Sequence, residues 1–390
     1  MKTESHRLTP LMGPVSMPLM LRVFLALLFV LPTAWAQAKI PAKSVRGQRD
    51  FLLVAGGDVA YPRGWMEGLV KRQGHKMYDD VRGYAKAGDL AFINLESPYT
   101  NAEFTLKKKW PIAAAPERLD YVLKGGFNLF SLANNHMYDA GVRGIEDTLD
   151  LLKQKKTEYK QLWWAGTALN KKDAVKPAIF KVPGKSLTVV FHAFGYAGSR
   201  LVAAPHPKYS VERVRKYAKK GDIIIVSVHH GKEYKHIPKA SKASLYRRYI
   251  DAGAHIVLGH HPHVIQGVEA YKNGIIFHSL GNFSFASKTR RHHKTGAKLY
   301  SMLPLIYVKN GVVERAEILP LWANNSESWK LDGKVQKVSN FKPTLLKGAF
   351  AKAMLNDLKQ WTRELPDIHI RAKKAFRISG ERAIIQVRRK

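Results

Sequence analysis

The sequence predicts a layered α/β fold, and three observations predict it. Short apolar runs recur along the chain, at residues 51–55, 90–93, 127–132, 187–193, 223–228, 254–258 and 274–280. They have strand length, and turn-forming or polar residues follow them. Segments of helical spacing lie between several of these runs. Ile223-Ile224-Ile225-Val226-Ser227-Val228 is almost wholly apolar, as in a strand buried on both faces in the middle of a packed sheet.

Taken in order, residues 51–55 form a first strand that ends in Gly56-Gly57-Asp58, and residues 65–88 read as helical and mixed in charge. The run 90–93 ends in Asn94-Leu95-Glu96, and Lys107-Lys108-Lys109-Trp110 is a basic loop. Residues 116–123 read as a short helix with Pro116 in its first turn. The strand at 127–132 leads into Ala133-Asn134-Asn135-His136. Ile145, Leu149, Leu151 and Leu152 then sit at helical spacing. The strand at 223–228 empties into His229-His230-Gly231. A helix near residues 243–252 precedes the strand that ends in Gly259-His260-His261-Pro262-His263. Asn310-Gly311 marks a hairpin between residues 300–308 and 312–319. Leu346, Phe350, Met354, Leu358 and Trp361 mark one face of an amphipathic helix starting near Thr344. The last twenty residues are rich in Lys and Arg against a single acid, Glu381.

The 390 residues divide as a signal peptide at 1–36, a main domain at 37–322 and a basic C-terminal extension at 323–390 with one amphipathic helix. Lys2, Arg7 and Arg22 precede the apolar run 23–31, and Ala34-Trp35-Ala36 follows it. That order is the pattern of a secretory signal cleaved after Ala36, with Met17 and Met20 as alternative starts. The run is short for a comfortable membrane span, and an uncleaved anchor is the other reading. The expected destination is the periplasm or cell envelope. There is no cysteine, which excludes disulfides, a lipid-bearing cysteine and thiolate metal ligands.

The net charge is +35. A charge of this size calls for anionic partners, and plain solubility is the other reading. An exported protein rarely meets nucleic acid. An anionic polymer, a phosphorylated envelope substrate or an acidic membrane surface fits better.

The strand ends carry the chemistry. Five apolar runs end near metal- or proton-competent residues: Asp58, Glu96, Asn135 with His136, His229, and His261 with His263. In layered α/β folds, ligands bind beyond the carboxyl ends of strands. Alternation allows His261 and His263 to point into one space. A single Asp in such a place is commonly a helix cap, and Asn94 and Asn282 read as turn residues. The whole series is hard to produce by capping. Carboxylate, amide and imidazole together suit one or two divalent ions, with Mn, Fe, Zn and Mg all compatible.

The series Gly57-Asp58, Asn94-Leu95-Glu96, Ala133-Asn134-Asn135-His136 with Asp139 and Gly141, His229 with Gly231 and Glu233-Tyr234, Gly259-His260-His261-Pro262-His263-Val264 with Gln266 and Glu269, and Ser279-Leu280-Gly281-Asn282-Phe283 resembles the capsule-synthesis protein CapA family. That family belongs to poly-γ-glutamate biosynthesis and is related to calcineurin-like metallophosphoesterases. The resemblance runs from about Phe51 to Pro320. It implies a four-layer αββα sandwich of two mixed sheets flanked by helices. It also implies that Asp58 is a first metal ligand, Glu96 the bridging carboxylate, Asn135 an amide ligand, and His229, His261 and His263 further ligands. His136 would then be the catalytic acid that protonates a leaving group. Three departures stand out: Ala60 holds a position where the wider superfamily carries His, Glu96 stands where it carries Asp, and His230 follows His229 where many members of the resembled family carry Trp.

Two functions follow as expectations. One is an exported, metal-dependent, phosphoesterase-like hydrolase that acts on an anionic envelope substrate alongside other capsule-synthesis components. The alternative is a non-catalytic export or anchoring component that binds the polymer through its positive charge around a structural metal. His230 and His260 are open between ligand and bystander. His192, His206, His255, His278, His292 and His293 read as structural or solvated.

Overall fold

Two β-sheets, one of ten strands and one of six, form the centre of the molecule. The computed structural model describes residues 50–388 apart from 65–66, 107, 286–289 and 324–326. The expected signal at 1–36 and Lys107 of the basic loop therefore lie outside the described residues. In chain order the strands of the two sheets begin with β1 (Asp50–Ala60), β2 (Leu90–Leu95), β3 (Leu129–Ser131) and β4 (Trp163–Ala165). Next come β5 (Ala178–Lys181), β6 (Thr188–Gly195), β7 (Ile223–His229), β8 (Ile256–His260), β9 (Val268–Tyr271), β10 (Gly274–Phe277) and β11 (Asn282–Phe285). The hairpin is β12 (Tyr300–Lys309) and β13 (Val312–Trp322), followed by a small separate pair, β14 (Trp329–Leu331) and β15 (Lys334–Gln336). The last are β16 (Thr344–Leu345), β17 (Phe376–Ser379) and β18 (Arg382–Gln386).

The large sheet runs β17-β18-β13-β12-β1-β2-β3-β4, and the small one β5-β6-β7-β8-β10-β9. Both are mixed. The segments β1 to β4 and β6-β7-β8-β10 are parallel, and antiparallel strands flank them. Every residue of β2, β7, β8 and β10 is buried, which is why these strands read as continuous apolar runs. The sheets meet through contacts such as Phe92 on Phe191, with ring centroids 5.8 Å apart. On the other face of the small sheet, Val211, Val214, Leu245, Tyr246 and Tyr249 from two helices pack on Val190, Ile224, Val226 and Val257. The architecture is the expected αββα sandwich.

Local differences from the sequence reading have physical causes. The helical stretch at 65–88 is broken into Glu67–Gln73, a 3-10 turn at Gly74–Tyr78 and Asp79–Ala87, because Gly74 adopts φ +46°. The C-terminal helix spans Gly348–Arg363 rather than starting near Thr344. Thr344 instead pairs with Trp322 in β16, and Gly348 turns the chain with φ +56°. At the predicted hairpin, Asn310 and Gly311 both take positive φ, the geometry whose twist matches paired strands.

The segment after 322 adds strands to the large sheet. Its β16 and β18 pair with β13, and β17 continues the sheet. The described residues cluster as one compact unit. Among the described residues no helix is long and apolar enough to cross a membrane.

One crossing matters for the site. The chain leaves the small sheet at β10 and enters the large one at β11, where Asn282 lies opposite Asp58. Asp58 N–H donates to Gly281 O at 3.0 Å. A Cβ on Gly57 would lie 1.9 Å from that same carbonyl oxygen, so only glycine permits this approach.

Candidate metal centre

Strand ends of both sheets converge on one pocket. Asp58 comes from β1, Glu96 follows β2, and Asn135 and His136 follow β3. From the small sheet, His229 closes β7, and His261 and His263 follow β8. Each donor sits in or shortly after the last residues of a buried strand that cannot move without disturbing the core, so its position is set by packing.

Asp58 is fully buried. Asn94 Nδ2 donates to its Oδ1 at 2.9 Å, and His260 Nδ1 lies 2.9 Å from the same oxygen. His261 N–H donates to Oδ2 at 3.3 Å. Burial pushes the Asp58 carboxyl up, but the hydrogen bond and charge of His260, with His263 and Asn94, outweigh it and hold the group below its ordinary value.

Glu96 is also fully buried, yet neither of its carboxylate oxygens has a hydrogen-bond partner. Its Oε1 lies 3.4 Å from His229 Nε2 and 3.8 Å from His263 Nε2. Burial, then the nearby charge of Asp58, push its carboxyl well above the usual range. A buried carboxylate without hydrogen bonds is costly unless a cation compensates it.

The imidazoles complete the set. His229 Nε2 lies 2.7 Å from Asn135 Oδ1 and 3.1 Å from His261 Nδ1. Burial first, then the neighbouring imidazoles, push His229 well below the ordinary histidine value, and burial takes His261 down to about 3. Neutral rings are the form that ligates metals. Donor atoms of Asp58, Glu96 and His263, and of Glu96, His229 and His261, form two groups whose members lie within 4.8 Å of one another. Glu96 is common to both groups. The orphaned carboxylate and the converging neutral imidazoles fit one or two divalent ions.

All six residues predicted as ligands are brought into this pocket. His136 stands beside it, largely buried, with Nδ1 2.6 Å from Asp139 Oδ2. Asp139 is fully buried and also accepts from Lys108 Nζ and, at 2.8 Å, from Ile112 N–H. His136 is held below the ordinary histidine value by burial, against the pull of Asp139.

Several supporting residues escaped the sequence reading. Asn94 touches Asp58 and also lies 3.2 Å from His229 Nδ1, so it is more than a turn residue. Asn282 likewise faces His263, its Oδ1 2.9 Å from Nδ1. That leaves His263 Nε2 directed to the Glu96 side. His260 grips Asp58, whereas the His230 ring lies against exposed Tyr196, with centroids 5.6 Å apart. Position relative to the ligands was the signal available: Asn94 is two residues before Glu96, and Asn282 follows the glycine that meets Asp58.

This fold and site define a class, an αββα sandwich of two mixed sheets with a carboxylate–imidazole cluster at its strand ends. The family described as "Bacterial capsule synthesis protein PGA_cap" matches residues 52–287, and the chain belongs to that family. The chain is 29% identical over 302 residues to the capsule biosynthesis protein CapA of Bacillus anthracis, covering 72% of this chain and 70% of the relative. It is 27% identical over 348 residues to the PGA biosynthesis protein CapA of Bacillus subtilis (strain 168), covering 80% and 90%. Among solved structures it is similar to a novel phosphatase of Mycoplasma pneumoniae. The identity there is 13%, the TM-score 0.45, and the coverage 70% of this chain and 94% of that one.

Proposed function

We propose that the chain is an exported, metal-dependent hydrolase of the phosphoesterase type that serves production of an anionic poly-γ-glutamate capsule in the periplasm or cell envelope. Export rests on the residue pattern at 22–36. The observation that carries the chemistry is Glu96. It is a fully buried carboxylate with no hydrogen bond, and it stands among Asp58, His229, His261 and His263.

Asp58, Glu96, Asn135, His229, His261 and His263 would hold the ions. Bound divalent ions supply polarisation of a phosphoryl oxygen and an activated water. The protein supplies the rest. Asp139 accepts a hydrogen bond from His136 Nδ1 and fixes the ring, leaving Nε2 free to hand a proton to the leaving oxygen. Lys108, paired with Asp139 at one edge, and exposed Lys109 add positive charge for an anionic substrate.

The net charge of +35 favours a second reading, a polymer-binding anchor with a structural metal. Metal analysis of the purified protein together with a phosphoester panel separates the two. The hydrolase reading expects stoichiometric metal and chelator-sensitive turnover. Bound metal with no turnover on any phosphoester or polymer favours the anchor.

A further inference from the structure

Asp58, Glu96 and His263 give one of the two donor groups two carboxylates and one imidazole. Hard divalent ions take about six ligands, so this group has room for another oxygen at its outer edge. Glu233, four residues beyond the end of β7, belongs to a donor group that shares His263 with this one. One of its carboxylate oxygens and ring nitrogens of His261 and His263 lie within 4.8 Å of one another. The loops that carry them are locked together. Tyr234 N–H donates to Pro262 O at 2.8 Å. Tyr234, His261 and His263 all adopt positive φ, at +57°, +88° and +58°. Three non-glycine residues in this conformation at one pocket are a costly feature of the kind that collects at functional sites.

The present partner of Glu233 is Arg291, with Nη1 3.1 Å from Oε2. Both side chains are partly exposed, at 51% and 34%, and such pairs are weak enough to exchange. Arg291 lies on the short helix Arg290–Thr295. The next residue, His292, anchors that helix over the site: its Nε2 lies 3.1 Å from His263 O and its ring 4.8 Å from the Tyr234 ring. Arg291 is therefore held where it can draw Glu233 away from the histidines.

We propose that Glu233 is a further carboxylate ligand for a hard divalent cation at the outer edge of this centre, and that Arg291 competes with the cation for it. The inference rests on the reading of Asp58, Glu96 and the histidines as a metal centre.

The test is calorimetric titration of Mn²⁺ into the chelator-treated full chain for wild type, Glu233→Gln, Arg291→Gln and the double variant. Thermal unfolding in chelator checks that each variant is folded. The two single changes should act in opposite directions. Glu233→Gln should weaken Mn²⁺ about tenfold or more, in the range seen when groups supporting a metal site are lost. Arg291→Gln should tighten it roughly 2- to 5-fold, the worth of an exposed ion pair. The double variant should match Glu233→Gln, because without the carboxylate there is nothing for Arg291 to withhold. Unchanged affinity in both single variants, or weakening by both, overturns the proposal and leaves the centre standing. A wild-type chain that takes up no Mn²⁺ overturns the reading of the centre itself, and the proposal with it.

Discussion

Asn94 Nδ2 donates to Asp58 Oδ1 across 2.9 Å, and the same nitrogen lies 3.2 Å from His229 Nδ1. One amide on β2 thus braces a carboxylate of its own sheet and an imidazole of the other. Groups that orient metal ligands are worth about 10- to 100-fold in metal affinity. Asn94→Ala should therefore weaken divalent-metal binding by that factor while the chain stays folded. Calorimetric titration checks this, and wild-type affinity would show that the bridge is incidental.

Glu96 gives a prediction with two signs. Its carboxyl is pushed up by burial and by Asp58 and has no hydrogen bond. In chelator, Glu96→Gln replaces a buried group whose charged form burial and Asp58 disfavour, and it should leave the melting temperature unchanged or higher. With metal the order should reverse. Ligand binding stabilises wild type by about 2.7 kcal/mol at a hundredfold excess over Kd, and the variant should lose most of that gain. Calorimetric melts with and without Mn²⁺ measure both.

Lys242 is fully buried, and its Nζ donates to Gln266 Oε1 at 3.0 Å. Burial lowers its pKa to about 7, with Asp58 pulling the other way. The unfolded value is about 10.4. Between these two values the unfolded chain binds more protons than the folded one, so stability rises with pH through that window. The cost of the buried charge is present in full below about pH 7. Melts of wild type and Lys242→Met in chelator from pH 6 to 10 should show wild type gaining on the variant as pH rises, by about 1 kcal/mol or more. A pH-independent difference contradicts the assignment.

The sequence made the donors readable because Asp58, Glu96, His229 and His261 come within three residues of the ends of buried apolar runs. Their neighbours along the chain therefore announced the strand ends. It did not make their supports readable. Asn94 meets His229 across 135 residues, and His260 meets Asp58 across 202, so both contacts exist only once the two sheets pack. The strands that went unread are short and mostly partly exposed, such as β5 and β17. They are defined by partners rather than by their own pattern. Glu233 went unread as a donor because its approach to His261 and His263 depends on three left-handed residues.

The most direct measurement of the central claim is His136→Ala, assayed for metal content, thermal stability and turnover together. His136 is tied to Asp139 at 2.6 Å and stands beside the donor set without belonging to either group that includes Glu96. A general acid contributes roughly 10²- to 10⁴-fold in rate. The hydrolase account predicts unchanged metal content, a nearly unchanged melting temperature and phosphoester turnover reduced by that factor. A variant with wild-type turnover, or one that supports normal capsule output while the parent hydrolyses no phosphoester or polymer, would contradict it.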